Sequence, residues 1–206
     1  RIKDVLDKLT GADSKSDGWM SKWAKPYKAV KPTASEVAAF VTSGENDAAI
    51  MARLKEIVAA EEPISRPFLK KRCLATFGIQ QSGSKVEARL DALIDGCAFR
   101  RDRVLNTDYF YKNPRAIEIG KFRTEGENAV RRNGEDLSVY EVVSVVKAAL
   151  GERVALYMDE LCALFAGVFP FVKQGERFSA FLRDCISHGE ETGISVRPER
   201  DRTSLA

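Results

Sequence analysis

The chain repeats its own apolar pattern, because residues 54–94 align without a gap on residues 146–186 at an offset of 92. Seven of the 41 aligned positions are identical, and at least seven more exchange one apolar residue for another, as Leu54 does with Val146. Buried positions tolerate exchange between apolar side chains of similar volume, so a pattern that persists with few identities is typical of a repeated core. The sequence therefore predicts two copies of one small helical unit.

The composition is that of a globular protein with enough apolar residues for one large core or two small ones. Of 206 residues, 44% are hydrophobic and 31% are charged, values typical of soluble domains. No apolar run approaches the roughly 20 residues that cross a bilayer, and no basic-then-apolar leader opens the chain. We therefore expect a cytoplasmic location and no membrane partner. Because the chain begins at Arg1 rather than at a methionine, we also expect a fragment of a longer protein.

The cysteine and histidine content argues against metal, redox and hydrolytic sites. The four cysteines are widely spaced with no C-x-x-C pair, and His188 is the only histidine, so neither a zinc site nor a histidine-based triad is predicted. Buried reduced thiols are expected, with a disulfide bridge or a reactive thiol as the alternative. The sequence contains no phosphate loop of the G-x-x-x-x-G-K type, which excludes an ATPase motor of that kind. We expect no cofactor and no catalytic residue.

Apolar spacing predicts three helices in the first unit. The first ends near Glu61, the second is capped by Ser65 and closed by Gly78, and the third starts at Ser84. Ser84 and Glu87 are spaced as a capping box, in which the glutamate reaches back to the cap amide. The residues expected to face the core are Ile50, Leu54, Ile57 and Val58, then Leu69, Cys73 and Phe77, then Val86, Leu90, Leu93 and Ile94.

The hydrophobic period changes after the third helix. Residues 98–105 and 108–111 are rich in aromatic and β-branched residues around polar breaks, which predicts a β-hairpin. Three helices followed by a hairpin is the order of a winged helix, in which the second and third helices form a helix-turn-helix and the hairpin is the wing. The turn between those helices, at roughly five or six residues, is longer than the usual three or four.

The second unit repeats this plan with a weaker hairpin. Only residues 193–196 resemble a strand, and residues 197–206 are polar enough to be frayed. The expected fold class is mainly α (α+β), with two tandem winged-helix-like three-helix units that carry short β-hairpin wings. The corresponding division is an N-terminal extension or linker at 1–45, a first domain at 46–133 and a second domain at 134–206.

Charge is distributed unequally between the two units. Residues 46–133 carry 17 positive and 12 negative side chains, whereas residues 134–206 carry 8 positive and 12 negative ones. A basic balance favours contact with a polyanion. If either unit touches nucleic acid, the first is the one expected to do so.

A DNA contact by the first unit would use the outward side of its third helix, the preceding turn and the wing. Amide and guanidinium groups suit base edges and phosphates. The candidate DNA-binding residues are Gln80, Gln81, Ser84, Lys85, Arg89, Arg100, Arg101, Arg103 and Lys112. Glu87 and Asp91 share the third helix, and a mixed charged face is also what a solvated or protein-bound helix shows. Both interpretations stay open.

Four short stretches of the first unit stand out together: Ile57–Ile64, Phe68-Leu69 with Arg72, Phe77–Ile79, and Gly83–Val86. They resemble an uncharacterised domain at the carboxyl end of large bacterial helicase-like proteins. Those parent proteins are similar to superfamily 1 ATP-dependent DNA helicases, and some carry a very-short-patch-repair type endonuclease just before the domain.

The resemblance covers Tyr27 to Ile94 well and the second unit more weakly, where Pro170 and Glu176 depart from the first copy at both turn positions. It implies association with a DNA-translocating or nuclease machine and brings no assigned catalytic residue.

We therefore expect a non-catalytic accessory domain that binds duplex or forked DNA without strong sequence preference, beside an upstream helicase or nuclease region of the same polypeptide. Such binding weakens steeply with salt. The alternative is a protein–protein assembly module, in which the acidic second unit docks on the first unit, on the motor or on a partner subunit. The sequence gives no indication of the oligomeric state.

Overall fold

A computed structural model describes residues 22–32, 46–124, 130, 132–151, 155–169, 175–189, 194–197 and 202–205. Contacts divide the chain into a central unit, Lys28–Ile117, and a composite unit, Arg1–Tyr27 with Glu118–Ala206. The described part is mainly helical with a few short strands, so the α+β expectation is confirmed at that level. None of its helices has the length and apolar character that a membrane crossing requires.

The unit boundaries differ from those that the repeat suggested. The expected extension at 1–45 contributes to both units, since residues 24–26 form a strand in the composite unit and Val30 is buried in the central one. The connection between the repeats is also divided, because the central unit ends at Ile117. Each unit therefore includes residues beyond its repeat.

Strand β1 (Ala24–Pro26) precedes the helices and strands of the central unit. These are α1 (Asp47–Glu61), β2 (Ile64–Ser65), α2 (Arg66–Thr76), α3 (Ser84–Gly96), β3 (Arg100–Val104) and β4 (Thr107–Tyr111). In the sheet, β4 lies between β2 and β3 and is antiparallel to both. Leu105 and Asn106 connect β3 to β4 with φ of 48° and 59°. Two consecutive residues with positive φ match the twist of a hairpin, so the expected hairpin is confirmed.

The composite unit contains β5 (Phe122–Thr124), α4 (Val139–Gly151), β6 (Ala155–Tyr157), α5 (Met158–Val168), α6 (Glu176–Gly189), β7 (Ile194–Arg197) and β8 (Arg202–Leu205). Strand β1 pairs with β5 in parallel, and β8 lies between β6 and β7, antiparallel to both. The expectation of fraying is therefore wrong for Arg197 and for Arg202–Leu205, and the other residues of 197–206 lie outside the described residues. A polar segment forms a strand here because its backbone groups find partners on two neighbouring strands.

The repeat in the sequence corresponds to a repeat of elements. Helices α4, α5 and α6 begin at Val139, Met158 and Glu176, each 92 residues after the start of α1, α2 and α3. The strand orders β2-β4-β3 and β6-β8-β7 also correspond. The apolar pattern of the sequence thus reports a duplicated order of helices and strands.

The core of the central unit lies along the apolar faces of its three helices. As expected, the α1 stripe is buried, and so are Leu90 and Ile94 of α3. Val86 and Leu93, which were expected in the core, are only half-buried. Val86 and Leu93 are seven residues apart, which is close to two full turns of a helix. Both therefore lie at the same edge of the α3 stripe.

The cysteines are free thiols, as the sequence reasoning favoured. Cys73, Cys97 and Cys185 are buried, whereas Cys162 is half-buried. Burial raises the pKa of Cys73 to about 12, so this thiol stays protonated at neutral pH and acts as a small apolar side chain.

Both ends of α2 are formed by the residues that the sequence indicated. The side chain of Ser65 accepts a hydrogen bond from the Phe68 N–H at 3.4 Å. At the other end Gly78 has φ 75°, and the Ile79 N–H donates to the Leu74 carbonyl at 2.9 Å. This is the arrangement in which a left-handed residue closes a helix and satisfies its last carbonyls. The predicted cap and stop are therefore confirmed.

The capping box predicted for α3 is wrong. The cap residue is Gly83, which makes no side-chain cap bond, and Ser84 is already the first helical residue. The Glu87 carboxylate accepts instead from the Ser82 hydroxyl and lies 2.8 Å from Lys70 of α2. An ammonium group is a stronger partner for a carboxylate than a neutral cap amide, so a contact between helices replaces the local one.

Candidate nucleic-acid interface

The solvent side of α3 carries short or polar side chains. Ser84, Lys85, Ala88 and Ala92 are exposed, at positions that return to one side of the helix every three or four residues. Lys85 gives this side a positive charge near its amino-terminal end. Because alanine side chains are short, the backbone of α3 can approach another surface closely.

The turn before α3 places the Gln80 amide beside a cavity of about 630 Å³. Gln80 lines this cavity with Lys70 and Lys71 of α2, and the neighbouring Gln81 is exposed. Neither lysine is among the residues predicted from the sequence, although the adjacent basic pair on the second helix was a usable signal. The turn thus adds amides to this surface, and α2 adds the two lysines.

The flank of α3 that faces α2 carries Glu87, Asp91 and Asp95, spaced four residues apart. Lys70 lies 2.8 Å from Glu87 and 3.1 Å from Asp91. Arg66, one turn earlier on α2, lies 3.4 Å from Asp91 and 2.6 Å from Asp95. We call these five residues the ion-pair ladder. Its carboxylates, which argue against a DNA contact when α3 is taken alone, are matched by cations of the same unit.

The ladder also shifts the ionisation of its members. The hydrogen bond from Lys70 lowers the pKa of Glu87, and that from Arg66 lowers the pKa of Asp95, with a further contribution from the charge of Arg101. Partial burial by itself lowers the pKa of Arg66 and Lys70, but the facing carboxylates outweigh it and raise both. Glu87 and Asp95 therefore stay ionised at neutral pH, and so do Arg66 and Lys70, which pair with them.

Strand alternation divides the arginines of the hairpin between two faces. Arg101 and Arg103 stand opposite Phe110 and Asp108 in the β3–β4 register. The Arg66 guanidinium lies 5.2 Å from the centre of the Phe110 ring and 3.2 Å from Asp108. Arg101 and Arg103 therefore lie on the hairpin face that adjoins the ladder, where Arg103 is 3.7 Å from Asp108.

Three of the predicted residues are placed elsewhere. Arg100 stands opposite Tyr111 on the other hairpin face, and Lys112 lies with it beside a second cavity. Arg89 binds Asp47 of α1, with its Nη2 at 2.5 Å and its Nε at 2.9 Å from the same carboxylate oxygen. A side chain expected to face outward thus joins two helices. The candidates that lie around the ladder are Gln80, Gln81, Ser84, Lys85, Arg101 and Arg103.

Buried ion clusters of the described residues hold backbone segments in place. In the central unit Glu61 and Arg72 pair at 2.8 Å, and both also bond to the backbone of Val30. In the composite unit Glu141 pairs with Arg123 at 2.6 Å and with a second arginine at 3.0 Å. The charged side chains are at most 6% exposed. They therefore support the fold rather than a solvent-facing site.

Over the described residues, no group of three or more histidine, cysteine, aspartate or glutamate side chains is arranged to hold a metal ion. Comparisons of the chain with protein-family models, curated proteins and solved structures give no match. The roles of individual residues therefore rest on the geometry of the ladder, the turn and the hairpin.

Proposed function

We propose that the chain is a non-catalytic accessory domain of a bacterial helicase or nuclease protein, and that its central unit binds duplex or forked DNA. The order of three helices and a hairpin, with β4 between β2 and β3, supports interpretation of each repeat as a winged helix. In that interpretation α2 and α3 form the helix-turn-helix, and the β3–β4 hairpin is the wing.

The observation that carries this proposal is the charge balance of the face around α3. Its four carboxylates, Glu87, Asp91, Asp95 and Asp108, each lie within 3.7 Å of a basic group. Five basic side chains lie on or beside this face, namely Arg66, Lys70, Lys85, Arg101 and Arg103. The face therefore keeps an excess of positive charge, which favours a polyanion.

The same face supports binding with weak sequence preference. Base edges are read by amides and guanidinium groups inserted into a groove, but Ala88 and Ala92 occupy the middle of the exposed side of α3. The basic groups lie at the periphery, at Lys85 and on the hairpin. Contacts of this kind go mainly to phosphates, which position a protein on DNA without specifying sequence.

A salt titration tests the proposal. Fluorescence anisotropy of a labelled forked duplex is measured between about 50 and 200 mM salt, for the wild type and for the triple variant Lys85→Ala, Arg101→Ala, Arg103→Ala. We expect the variant to bind at least about tenfold more weakly and its salt slope to fall by about 2 to 3 units, roughly one for each lost phosphate contact.

The matched control removes the same charge from the other side of the unit, in the triple variant Lys55→Ala, Arg100→Ala, Lys112→Ala. These residues lie together beside the second cavity, so we expect less than about a twofold change. Equal losses in the two triple variants would show that binding is non-specific attraction by net charge, and would contradict the proposed face.

An assembly module is the second candidate, and an exposed aromatic residue of the acidic repeat favours it. Tyr157, the last residue of β6, is 37% exposed and directly precedes α5, whose first turn carries Asp159 and Glu160. Tyrosine is enriched at protein interfaces because its ring is apolar and its hydroxyl polar. If the chain binds no DNA at low salt but forms a complex with the upstream helicase region that Tyr157→Ala weakens, this function replaces DNA binding.

A further inference from the structure

The hairpin face away from the ladder borders a cavity of about 360 Å³. Helix α1, the segment after α3 and the base of the hairpin line it. We call it the α1–hairpin cavity. Its lining includes the apolar residues Val58, Ala59 and Phe99, which we call the floor, and the basic residues Lys55, Arg100 and Lys112, which we call the rim. All of these residues belong to the central unit.

The three basic residues of the rim come from different elements. Lys55 lies on the exposed side of α1, Arg100 begins β3, and Lys112 directly follows β4. All three are exposed, and within the described ranges none of their side chains forms an ion pair. The ladder cations on the opposite face are paired with carboxylates. The rim differs from that face because its three positive charges have no such partner among the described residues.

A carboxylate does lie near the rim, but its oxygen is already engaged. Glu62 accepts hydrogen bonds from the backbone N–H of Lys112 at 2.5 Å and of Asn113 at 2.7 Å. This contact fixes the backbone at the end of β4. The carboxylate therefore positions the Lys112 side chain through its backbone and leaves the ammonium group available to a ligand.

We propose that the α1–hairpin cavity binds a peptide segment of a partner protein in which an apolar side chain is flanked by carboxylates. The apolar side chain enters the floor beside Val58 and Phe99, and the carboxylates pair with the rim cations. An apolar centre with a charged rim is the usual anatomy of a protein interface, and charge complementarity selects the partner and speeds its encounter.

Size and chemistry favour a peptide over a nucleotide. The volume lies at the lower end of the roughly 300 to 1,000 Å³ of ligand cavities, which suits one side chain with its neighbours. A nucleobase carries hydrogen-bonding groups along its edge, and burying these against Val58 and Ala59 would leave them unpaired, which is unfavourable. An aromatic or branched aliphatic side chain meets no such cost.

The cavity and the face around the ladder lie on opposite sides of one hairpin. Arg101 belongs to the ladder side, whereas Arg100 belongs to the cavity. The two surfaces adjoin at Ala98 and Phe99, which line a cavity on each side. Their basic groups are different residues, so the peptide site does not depend on DNA binding.

The probe for a test is a hexapeptide in which two neighbouring phenylalanines are flanked by two aspartates on each side. It is titrated into the full chain, and binding is followed by chemical-shift changes of backbone amides in NMR spectra and by anisotropy of the labelled peptide. We expect saturable shifts centred on Phe99, Arg100 and Lys112. A peptide with serines in place of the phenylalanines should bind at least about tenfold more weakly, because it has no apolar group to bury.

Two variants locate the site without disturbing the core. Lys55→Glu reverses the charge of an exposed rim position, and Ala59→Met places a longer side chain at an exposed position of α1 that lines the cavity. Each should weaken peptide binding about tenfold. Lys85→Glu, an equal charge change on the solvent side of α3, is the matched control and should leave peptide affinity within about twofold.

Three results would overturn the proposal. The first is no peptide binding at millimolar concentration, and the second is equal loss of affinity in Lys55→Glu and Lys85→Glu. The third is a single-stranded oligonucleotide that produces the same amide shifts and competes with the peptide, since the cavity would then take nucleic acid. Because peptide and DNA are measured separately, failure here is distinguishable from failure of DNA binding at the ladder face.

Discussion

Arg100 and Arg101 are consecutive in the chain and lie on opposite faces of the β3–β4 hairpin. Arg101 stands opposite Phe110 and lines a cavity with Asp95 of the ladder. Arg100 stands opposite Tyr111 and lines the α1–hairpin cavity. The alternation of strand side chains thus separates two neighbouring cations that look equivalent in the sequence.

Charge reversal of these two arginines should therefore have different effects. We expect Arg101→Glu to lower the affinity for a forked duplex about tenfold, because it removes one phosphate contact and adds a repulsive charge. Arg100→Glu should change that affinity less than about twofold and should weaken the acidic peptide instead. Anisotropy with both probes at low salt measures the pair. Parallel losses of DNA affinity in the two variants would mean that the faces are not functionally distinct.

The pairing of Glu87 with Lys70 predicts a pH-dependent contribution to stability. The hydrogen bond from Lys70 lowers the pKa of Glu87 below its usual 4.5 in the folded state. Its stabilisation is therefore complete above about pH 4.5 and is lost as the pH falls through the folded-state pKa. Because Glu87 is 36% exposed, we expect less than about 1 kcal/mol at neutral pH.

Urea unfolding of Glu87→Gln at about pH 7 and about pH 2.5 measures this contribution. The variant should be less stable than the wild type at the higher pH and equally stable at the lower one. Glu118→Gln, at an exposed position, controls for the loss of one negative charge. A difference that persists unchanged in acid would show that the effect of Glu87 is not electrostatic.

Features set by neighbours in the sequence could be predicted, because they depend on local physics. The apolar period shows which side of each helix is buried, and this was enough to align the two repeats. Ser65 and Gly78 end α2 through bonds that span only a few residues. For the same reason the hairpin was predictable from its composition and its polar breaks.

Features set by distant residues could not be predicted. Arg89 looked outward on a helical wheel, but its partner Asp47 lies 42 residues earlier. The strand at Arg202–Leu205 has no apolar alternation and forms because β6 and β7 lie beside it.

Of the nine candidate DNA-binding residues named from the sequence, six lie around the ladder. The separation of Arg100 from Arg101 follows from strand alternation alone, so the sequence already contained that signal.

Glu141 should be among the most sensitive positions of the composite unit. It is 2% exposed and binds Arg123 and Arg132 at 2.6 Å and 3.0 Å. Burial alone would raise the pKa of Glu141, but the two arginines outweigh it and hold that pKa far below its usual value. Glu141→Gln leaves two buried cations without their counter-charge, which typically costs about 3 to 5 kcal/mol.

Urea unfolding followed by circular dichroism measures this loss, with Glu135→Gln at an exposed position as the control. The lowered pKa of Glu141 determines how its contribution to the free energy of unfolding changes with pH. Its contribution is present above the unfolded-state pKa of about 4.5 and is lost as the pH falls towards the folded value. The destabilisation by Glu141→Gln should therefore be largest near neutral pH, and a variant as stable as the wild type there would contradict the role of the cluster.

The two glycines that border the turn before α3 should respond in opposite directions to a side chain. Gly78 has φ 75°, so Gly78→Ala forces a β-carbon into the left-handed region at a cost of about 1 to 2 kcal/mol. Gly83 has φ −91°, and a β-carbon added there would meet no heavy atom within 4 Å. Gly83→Ser should add the missing cap of α3 and stabilise the chain by a few tenths of a kcal/mol, on the order of the cap preference of serine over glycine. Urea midpoints of the two variants measure the difference, and a destabilised Gly83→Ser would show that the amino-terminal end of α3 has no room for a cap.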